Sequence, residues 1–381
     1  MSNGVASANA AAAAAVVGAF RAAGGTRAVV SPGSRSTPLV QALAGTDLDV
    51  RVVLDERTAA FIAVGAARSD GRPVLLVCTS GSAGAHYGPA AAEAIEAGLP
   101  LWLVTADRPP ELHGIGAPQT TRQHDWYGGN IARIVVAAAD EVDPTELAGR
   151  VTAAAPDAGP LHLNIGFREP LVADRVPRID VAPVLRPAAI QPCPTPPAED
   201  LDRAARPLIV LGPEAEGLWL PGGWERWAQE ADVPVVADVL AGTAAGLRGL
   251  DGMLRDEALR EALQPDVVMQ FGRLPTSKAL GQWLARCEAE GVPVWHVSPD
   301  QRPHAWRPSD RVVTGPIAAP DVAPQSTPGW TATWQALATA VSGITLDPGF
   351  WEAHIWRALA QALPDGATVL AGSSMAVRDA D

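Results

Sequence analysis

Four short segments, each ending a run of β-forming residues, carry groups able to hold or move charge. Ser31, Pro32, Gly33, Ser34 and Arg35 follow Val29 and Val30. Asp55, Glu56, Arg57 and Thr58 follow Val53 and Leu54. Cys78, Thr79, Ser80, Gly81 and Ser82 follow Val77, and Thr105, Ala106, Asp107 and Arg108 follow Val104. In a parallel sheet the loops that follow the strands open on one edge, where ligands bind. A carboxylate, two arginines and several small hydroxyls would converge there. Read singly, each loop has a structural alternative. Glycine and serine after a strand commonly make only a tight turn, and the structural alternative for Arg35 and Arg108 is to be solvated or paired with Asp55 and Asp107. The Gly33 loop is not a phosphate-binding P-loop, because no Gly-Lys-Ser/Thr follows. Gly212 and Pro213 lack the further glycines of a dinucleotide fingerprint.

A scaffold must deliver those loops to one place. Over residues 1–180, β-rich runs (27–31, 50–55, 74–80, 101–106, 132–138, 161–167) alternate with helix-compatible stretches (37–44, 57–68, 89–97). Apolar strands separated by helices predict an α/β fold, a doubly wound parallel sheet covered on both faces. The alanine-rich stretch 10–20 has no Lys or Arg before it, as a secretory signal requires, and is too short to cross a bilayer. It reads as an opening helix, leaving no integral membrane segment.

Residues 181–199 contain six prolines and predict an extended, exposed linker. A second alternating block follows, with strands at 208–211, 233–237, 266–271 and 294–298, and then a proline-rich connector at 316–328. Beyond it, helices at 334–341 and 351–363, a strand at 368–371 and a turn into a new helix look like the opening of a further unit. The expected organisation is an α/β domain (1–180), a linker (181–200), a central α/β domain (201–328) and an incomplete third domain (329–381). Because the chain stops one turn into a strand–helix unit, the expectation is a fragment of a longer protein.

Composition bounds the function. Hydrophobic residues at 48% and charged residues at 19% suit a globular enzyme and exclude general disorder. A net charge of −13 with no basic stripe excludes a nucleic-acid footprint. It leaves room for an anionic ligand, since local arginines can build a positive pocket in an acidic protein. Cys78, Cys193 and Cys287 are scattered, without metal-ligand spacing, and read as reduced thiols of a cytoplasmic protein.

Taken in order, SPGSRSTPL, LDERTAAFIAVGAARSDGRPVLLVCTSGSA, TADRPPEL, HLNIGFREPL, PVVADVLAG, FGRLPTSKAL and VLAGSSMAVR closely resemble 2-succinyl-5-enolpyruvyl-6-hydroxy-3-cyclohexene-1-carboxylate synthases. The resemblance runs from about Ala28 to Arg378. It implies a thiamin-diphosphate carboligase that uses Mg²⁺ or Mn²⁺, decarboxylates 2-oxoglutarate and adds the succinyl carbanion equivalent to isochorismate on the way to menaquinone. It implies three α/β domains (pyrimidine-binding, central and diphosphate-binding) and a homo-oligomer, dimer or tetramer.

Residue by residue, Glu56 matches the glutamate that hydrogen-bonds the aminopyrimidine ring. Protonating that ring nitrogen favours the tautomer able to take the thiazolium proton. At the end of the apolar run 52–54, the carboxyl is expected to be partly desolvated. Thr79, Ser80 and Gly81 fall on the cofactor side. Ser34, Arg35, Arg108, Gln119, Lys278, Ser374 and Arg378 match positions lining the substrate pocket, and guanidinium forks and hydroxyls suit two dicarboxylate substrates. Ser374 and Arg378, four apart, would share one helix face.

There are departures. Pro118 precedes Gln119 where asparagine is frequent, Ala279 follows Lys278 where some relatives carry a second base, and His86 replaces a common asparagine. No asparagine occurs after Asn164, so Leu250, Asp251 and Gly252 only superficially match the Gly-Asp-Gly turn that opens the diphosphate and metal segment. No metal ligand is therefore expected in this chain, and the chain alone is expected to be inactive. Competing readings are a non-catalytic binding protein for an anionic metabolite and another thiamin enzyme of the acetohydroxyacid synthase type.

Overall fold

The computed structural model describes residues 2–129, 131–156, 159–183, 198–215, 218, 223–243, 246–298, 311–315, 317–320, 324–343 and 352–372. Cys193, Ser374, Arg378 and the linker segment 184–197 lie outside the described residues. The chain divides into two compact units, Met1–Ala188 and Ala189–Asp381.

In chain order the first unit contains α1 (Ser2–Ala22), β1 (Arg27–Val30), α2 (Thr37–Ala44), β2 (Asp49–Val52), α3 (Glu56–Asp70), β3 (Val74–Cys78), α4 (Gly88–Ala97), β4 (Leu101–Asp107), β5 (Ala132–Val136), α5 (Pro144–Ala154) and β6 (Leu161–Gly166). Its six strands are all parallel, in the order β2-β1-β3-β4-β6-β5. One face packs against α1, α2 and α5 through Val16, Phe20, Leu39, Leu43 and Leu147. The other packs against α3 and α4 through Ala60, Ala63, Ala91 and Ala94. The chain moves outward from β1 to β2 and then returns to β3 on the other side, so the switch point of the sheet lies between β1 and β3.

Strands β3, β4 and β6 are buried along their whole length, as continuous apolar runs predict. The edge strand β2 departs from that expectation. All four of its residues are exposed, and Val52 and Leu54 are 63% and 80% exposed. An edge strand has one neighbour, and here only Val53 turns inward to pack. Helix α1 is long and apolar enough to cross a membrane by length and composition, but most of it is buried in this unit, its Val16 and Phe20 at 0% exposure. It is a core helix.

The second unit contains α6 (Ala198–Asp202), β7 (Pro207–Leu211), α7 (Trp224–Glu230), β8 (Val235–Ala237), α8 (Glu257–Ala262), β9 (Val267–Phe271), α9 (Lys278–Ala289), β10 (Val294–Ser298), β11 (Val312–Thr314), α10 (Trp330–Ser342) and α11 (Glu352–Ala362). Its sheet is again parallel, ordered β11-β10-β9-β7-β8. Helix α10 differs from its expected place in a third domain. Trp330, Trp334 and Ala338 pack into the second sheet's core with Leu208, Val268 and Trp283, and the rings of Trp283 and Trp334 stand 6.0 Å apart. Burying two indoles there outweighs any independent unit. The strand expected at 368–371 does not form, and Leu370 is 97% exposed. No described strand lies alongside to supply its hydrogen bonds.

Candidate active site

The loops after β1, β2, β3 and β4 meet at the carboxyl edge of the first sheet. At the switch point the loop after β1 presses on the loop after β3. A Cβ at Gly33 would lie 2.3 Å from the Thr79 Cβ, so only glycine fits. Gly33 leads into a 3₁₀ turn, Ser34–Ser36, and then α2 with its proline in the first turn. Ser31 and Ser80 are buried beside this contact, and neither Oγ has a hydrogen-bond partner.

Glu56 is the first residue of α3, directly after the N-cap Asp55, whose side chain accepts from the Thr58 amide at 2.8 Å. That bond, with His86 and Arg57 nearby, holds Asp55 below the usual carboxylate range. Glu56 is half-buried. That partial burial does not come from Val52 and Leu54, which are exposed. Its inner neighbours are Cys78 and Tyr87, both fully buried. Burial pushes the Cys78 thiol up to about 12, with the Glu56 charge adding to it, and also raises the Tyr87 phenol well above its ordinary value. Both groups are therefore neutral, and neither competes with Glu56 for a role as the local anion.

The substrate-side residues divide. Ser34 is exposed. Arg35 is only 4% exposed, its Nη1 donating to the Phe167 carbonyl at 2.8 Å and its Nη2 to Glu169 at 2.9 Å. It pairs with neither Asp55 nor Asp107. Arg108 is half-buried, with its amide donating to the Asp107 carboxylate at 2.7 Å. Arg35 and Arg108 each keep a buried Nε without a partner. Gln119 is exposed, has a positive φ of 52°, and its Cα would stand 3.2 Å from a Cβ at Gly81. It therefore borders the Thr79-Ser80-Gly81 turn. Lys278 lies in the second unit, at the start of α9. Ser374 and Arg378 lie outside the described residues.

Sequence reasoning missed what holds these loops in register. Gln123, fully buried, accepts the Gly81 amide at 2.7 Å and donates to the Ala106 carbonyl and to Asn164 Oδ1, both at 3.0 Å. Asn164 Oδ1 also accepts from Thr105 at 2.7 Å, and its amide nitrogen donates to Asp107 at 2.7 Å. Thr105 Oγ1 lies 3.0 Å from His162 Nε2. Because the threonine proton is spent on Asn164, the imidazole donates from Nε2. Burial lowers His162 to about 3, keeping it neutral, and raises Asp107. One signal was present in the sequence. Thr105 with Asp107, and His162 with Asn164, are polar residues two apart in apolar strands and so share a face.

Two clefts of this unit, about 460 and 450 Å³, lie at the opposite, amino edge among Arg21, Asp47 and Arg178. Those arginines are already paired, Arg21 with Asp47 and Arg178 with Asp180. The unsatisfied buried polar atoms make the carboxyl edge the better candidate. Among the described residues no three His, Cys, Asp or Glu side chains gather as a cation site.

A family model described as thiamine pyrophosphate enzyme, N-terminal TPP binding domain, matches residues 10–126. Another, described as middle domain of thiamine pyrophosphate, matches residues 203–370. The chain is 39% identical to the 2-succinyl-5-enolpyruvyl-6-hydroxy-3-cyclohexene-1-carboxylate synthase of Geobacillus kaustophilus (strain HTA426), across 97% of this chain and 70% of that protein. It is 33% identical to the synthase of the same name from Bacillus velezensis, across 95% of this chain and 68% of the relative. With that of Haloarcula marismortui it shares 34% identity, across 94% and 69%.

Proposed function

From the premise that this chain belongs to the 2-succinyl-5-enolpyruvyl-6-hydroxy-3-cyclohexene-1-carboxylate synthase family of thiamin-diphosphate enzymes, we propose that it decarboxylates 2-oxoglutarate and joins the four-carbon remainder to isochorismate. The observation that carries this reading is Glu56, a half-buried carboxylate opening a helix beside the switch point of a parallel sheet. A protein that merely stored an anionic metabolite would have no use for an acid at that rim.

The residues fit the ring end of the cofactor. Ser31 Oγ and Ser80 Oγ are buried without partners, and a ring with amino and imino nitrogens supplies both donors and acceptors. When bound, thiamin diphosphate supplies the electron sink for breaking the bond beside the 2-oxo group. Glu56 holds a proton at the aminopyrimidine ring nitrogen. The turn of Thr79, Ser80 and Gly81 orients that ring, and Gln123 fixes the turn. Ser34, Arg35, Arg108 and Gln119 receive substrate carboxylates, with the free Nε groups of Arg35 and Arg108 as available donors. By resemblance, Lys278, Ser374 and Arg378 of the second unit serve substrate carboxylates as well. None of these residues is assigned to the diphosphate or to its Mg²⁺ or Mn²⁺. The enzyme acts as a cytoplasmic homo-oligomer, with residues 1–180 as its pyrimidine-binding domain and the second sheet as its central domain.

Glu56→Gln in the holoenzyme tests this reading. It keeps the shape of the side chain and abolishes its acidity. Product formation from 2-oxoglutarate and isochorismate should fall by about 10²-fold or more, with an unchanged circular dichroism spectrum. Undiminished turnover would refute the role of Glu56.

A further inference from the structure

Lys278 is the only lysine in the sequence, and all the other Lys/Arg positions are arginine. It stands first in α9, exposed, and among the described residues it forms no ion pair. A cation in the first turn of a helix opposes the helix dipole. Stability therefore does not account for its place.

The turn before it is held from two sides. Asp238, 2% exposed at the end of β8, accepts the Thr276 amide at 2.6 Å and the Thr276 hydroxyl at 2.7 Å on one oxygen, and the Leu240 amide at 2.8 Å on the other. Its own carbonyl accepts from Arg248 at 3.0 Å. Asp251 accepts the Ser277 hydroxyl at 2.6 Å and the Ala279 amide at 3.3 Å on one oxygen, while Arg255 holds the other. Ser277 in turn caps α9 by accepting the Leu280 amide at 3.1 Å. Both residues preceding Lys278 and the one following it are thus tied to carboxylates. A single cap would have sufficed to start the helix.

We propose that Asp238 and Asp251 are positioning residues. Acting through the turn of Thr276 and Ser277, they fix the backbone of Lys278 so that its ammonium meets a substrate carboxylate from a set origin. The inference rests on the substrate-facing reading of Lys278 given above. The reasoning is chemical. Arginine brings a rigid, planar fork that preorganises itself, whereas lysine is a point charge on a flexible four-carbon stem. Placing such a charge requires a rigid base, and misplacement by about 1 Å is enough to cost up to 10²-fold in rate.

Reductive methylation of the holoenzyme with ¹³C-formaldehyde labels its amines, and the resonance that disappears in Lys278→Arg is assigned to Lys278. Asp238→Asn forces an N–H against either Thr276 or Leu240, and Thr276→Val deletes the hydroxyl alone, should the first variant fold poorly. Both should move the Lys278 resonance toward that of free dimethyl-lysine, while Thr276→Ser keeps it in place. In kinetics without the label, Asp238→Asn and Lys278→Ala should each raise KM for the same one of the two substrates by about tenfold, with kcat changed by less than about threefold. The double variant should be no worse than Lys278→Ala.

An unmoved resonance in both Asp238→Asn and Thr276→Val overturns the positioning. Additive losses in the double variant, or equal rises in both KM values, show a merely structural carboxylate and overturn it as well. If Lys278→Ala leaves both KM values unchanged while the resonance still moves in the Asp238 variant, it is the substrate-facing reading that fails, and with it the catalytic purpose of the turn.

Discussion

Gly33 and Thr79 touch across the switch point of the first sheet, where a Cβ on the glycine would fall 2.3 Å from the Cβ of the threonine. The φ of Gly33 is −177°, extended backbone open to any residue, so the restriction is one of space alone. Gly33→Ala must push Thr79, and with it the Ser80 and Gly81 turn, away from β1. Such overpacking should cost about 1–3 kcal/mol. Thiamin diphosphate should also bind at least about tenfold more weakly, because the turn orients the ring. Thr79→Gly added to Gly33→Ala should recover much of the stability, since it removes the clashing atom. Urea titrations of the single and double variants check this, and strictly additive losses would show that the two loops do not share the contact.

Arg35 has a structural task beside its proposed substrate role, since two of its nitrogens serve Phe167 and Glu169. Arg35→Ala should leave the buried Phe167 carbonyl unpaired and open a void, costing about 2 kcal/mol or more. Glu169→Gln should cost no more than about 0.5 kcal/mol, because the Glu169 side chain is 71% exposed. Equal effects of the two substitutions in thermal unfolding would mean that the ion pair, and not the buried carbonyl, holds the guanidinium.

Much of this arrangement was legible in the sequence because it depends on local signals. The apolar runs that became β3, β4 and β6 are bounded by glycine, proline and helix-forming segments, and Thr37–Ala44 was delimited to the residue by its proline and the following Gly45. Glu56 was legible because it opens the helix after β2. The source of its partial shielding was not, since alternation along an edge strand sends Val52 and Leu54 outward. Neither was the destination of Trp330 and Trp334, nor the bond from Gln123 to Gly81. These last depend on contacts between residues more than forty positions apart, which no local pattern encodes.

Gln123 should behave as the tie between two loops. Gln123→Met preserves volume but leaves the Gly81 amide without its acceptor and Ala106 and Asn164 without a donor. With these groups buried, the loss should be about 2–4 kcal/mol. Gln123→Glu retains the acceptor for Gly81 but sets an oxygen against the Ala106 carbonyl and Asn164 Oδ1, so it should rescue little at neutral pH. Amide hydrogen exchange at Gly81 reports the bond directly. Protection of that amide unchanged in Gln123→Met would show that some other group accepts it.

His162 gives the chain a pH dependence whose sign can be worked out. Burial holds its folded value down at about 3, against an ordinary 6.5. Between those values the unfolded chain binds a proton that the folded chain refuses. Stability should therefore fall as pH drops from about 6.5 toward about 3, at a rate approaching 1.4 kcal/mol per pH unit, and be unaffected by this group above that range. Asp107, raised by burial, works in the opposite direction as it takes up a proton, so the comparison must be between two proteins that both retain it. His162→Gln keeps a donor for Thr105 and does not titrate. Subtracting its urea unfolding free energies from those of the natural sequence, pH by pH from 7 to 4.5, should give a difference that is level near neutrality and then slopes by about one proton. A difference that stays level down to pH 4.5 would mean the imidazole takes up its proton in the folded state as readily as in water, and the buried chain from His162 through Thr105 to Asn164 could not be as described.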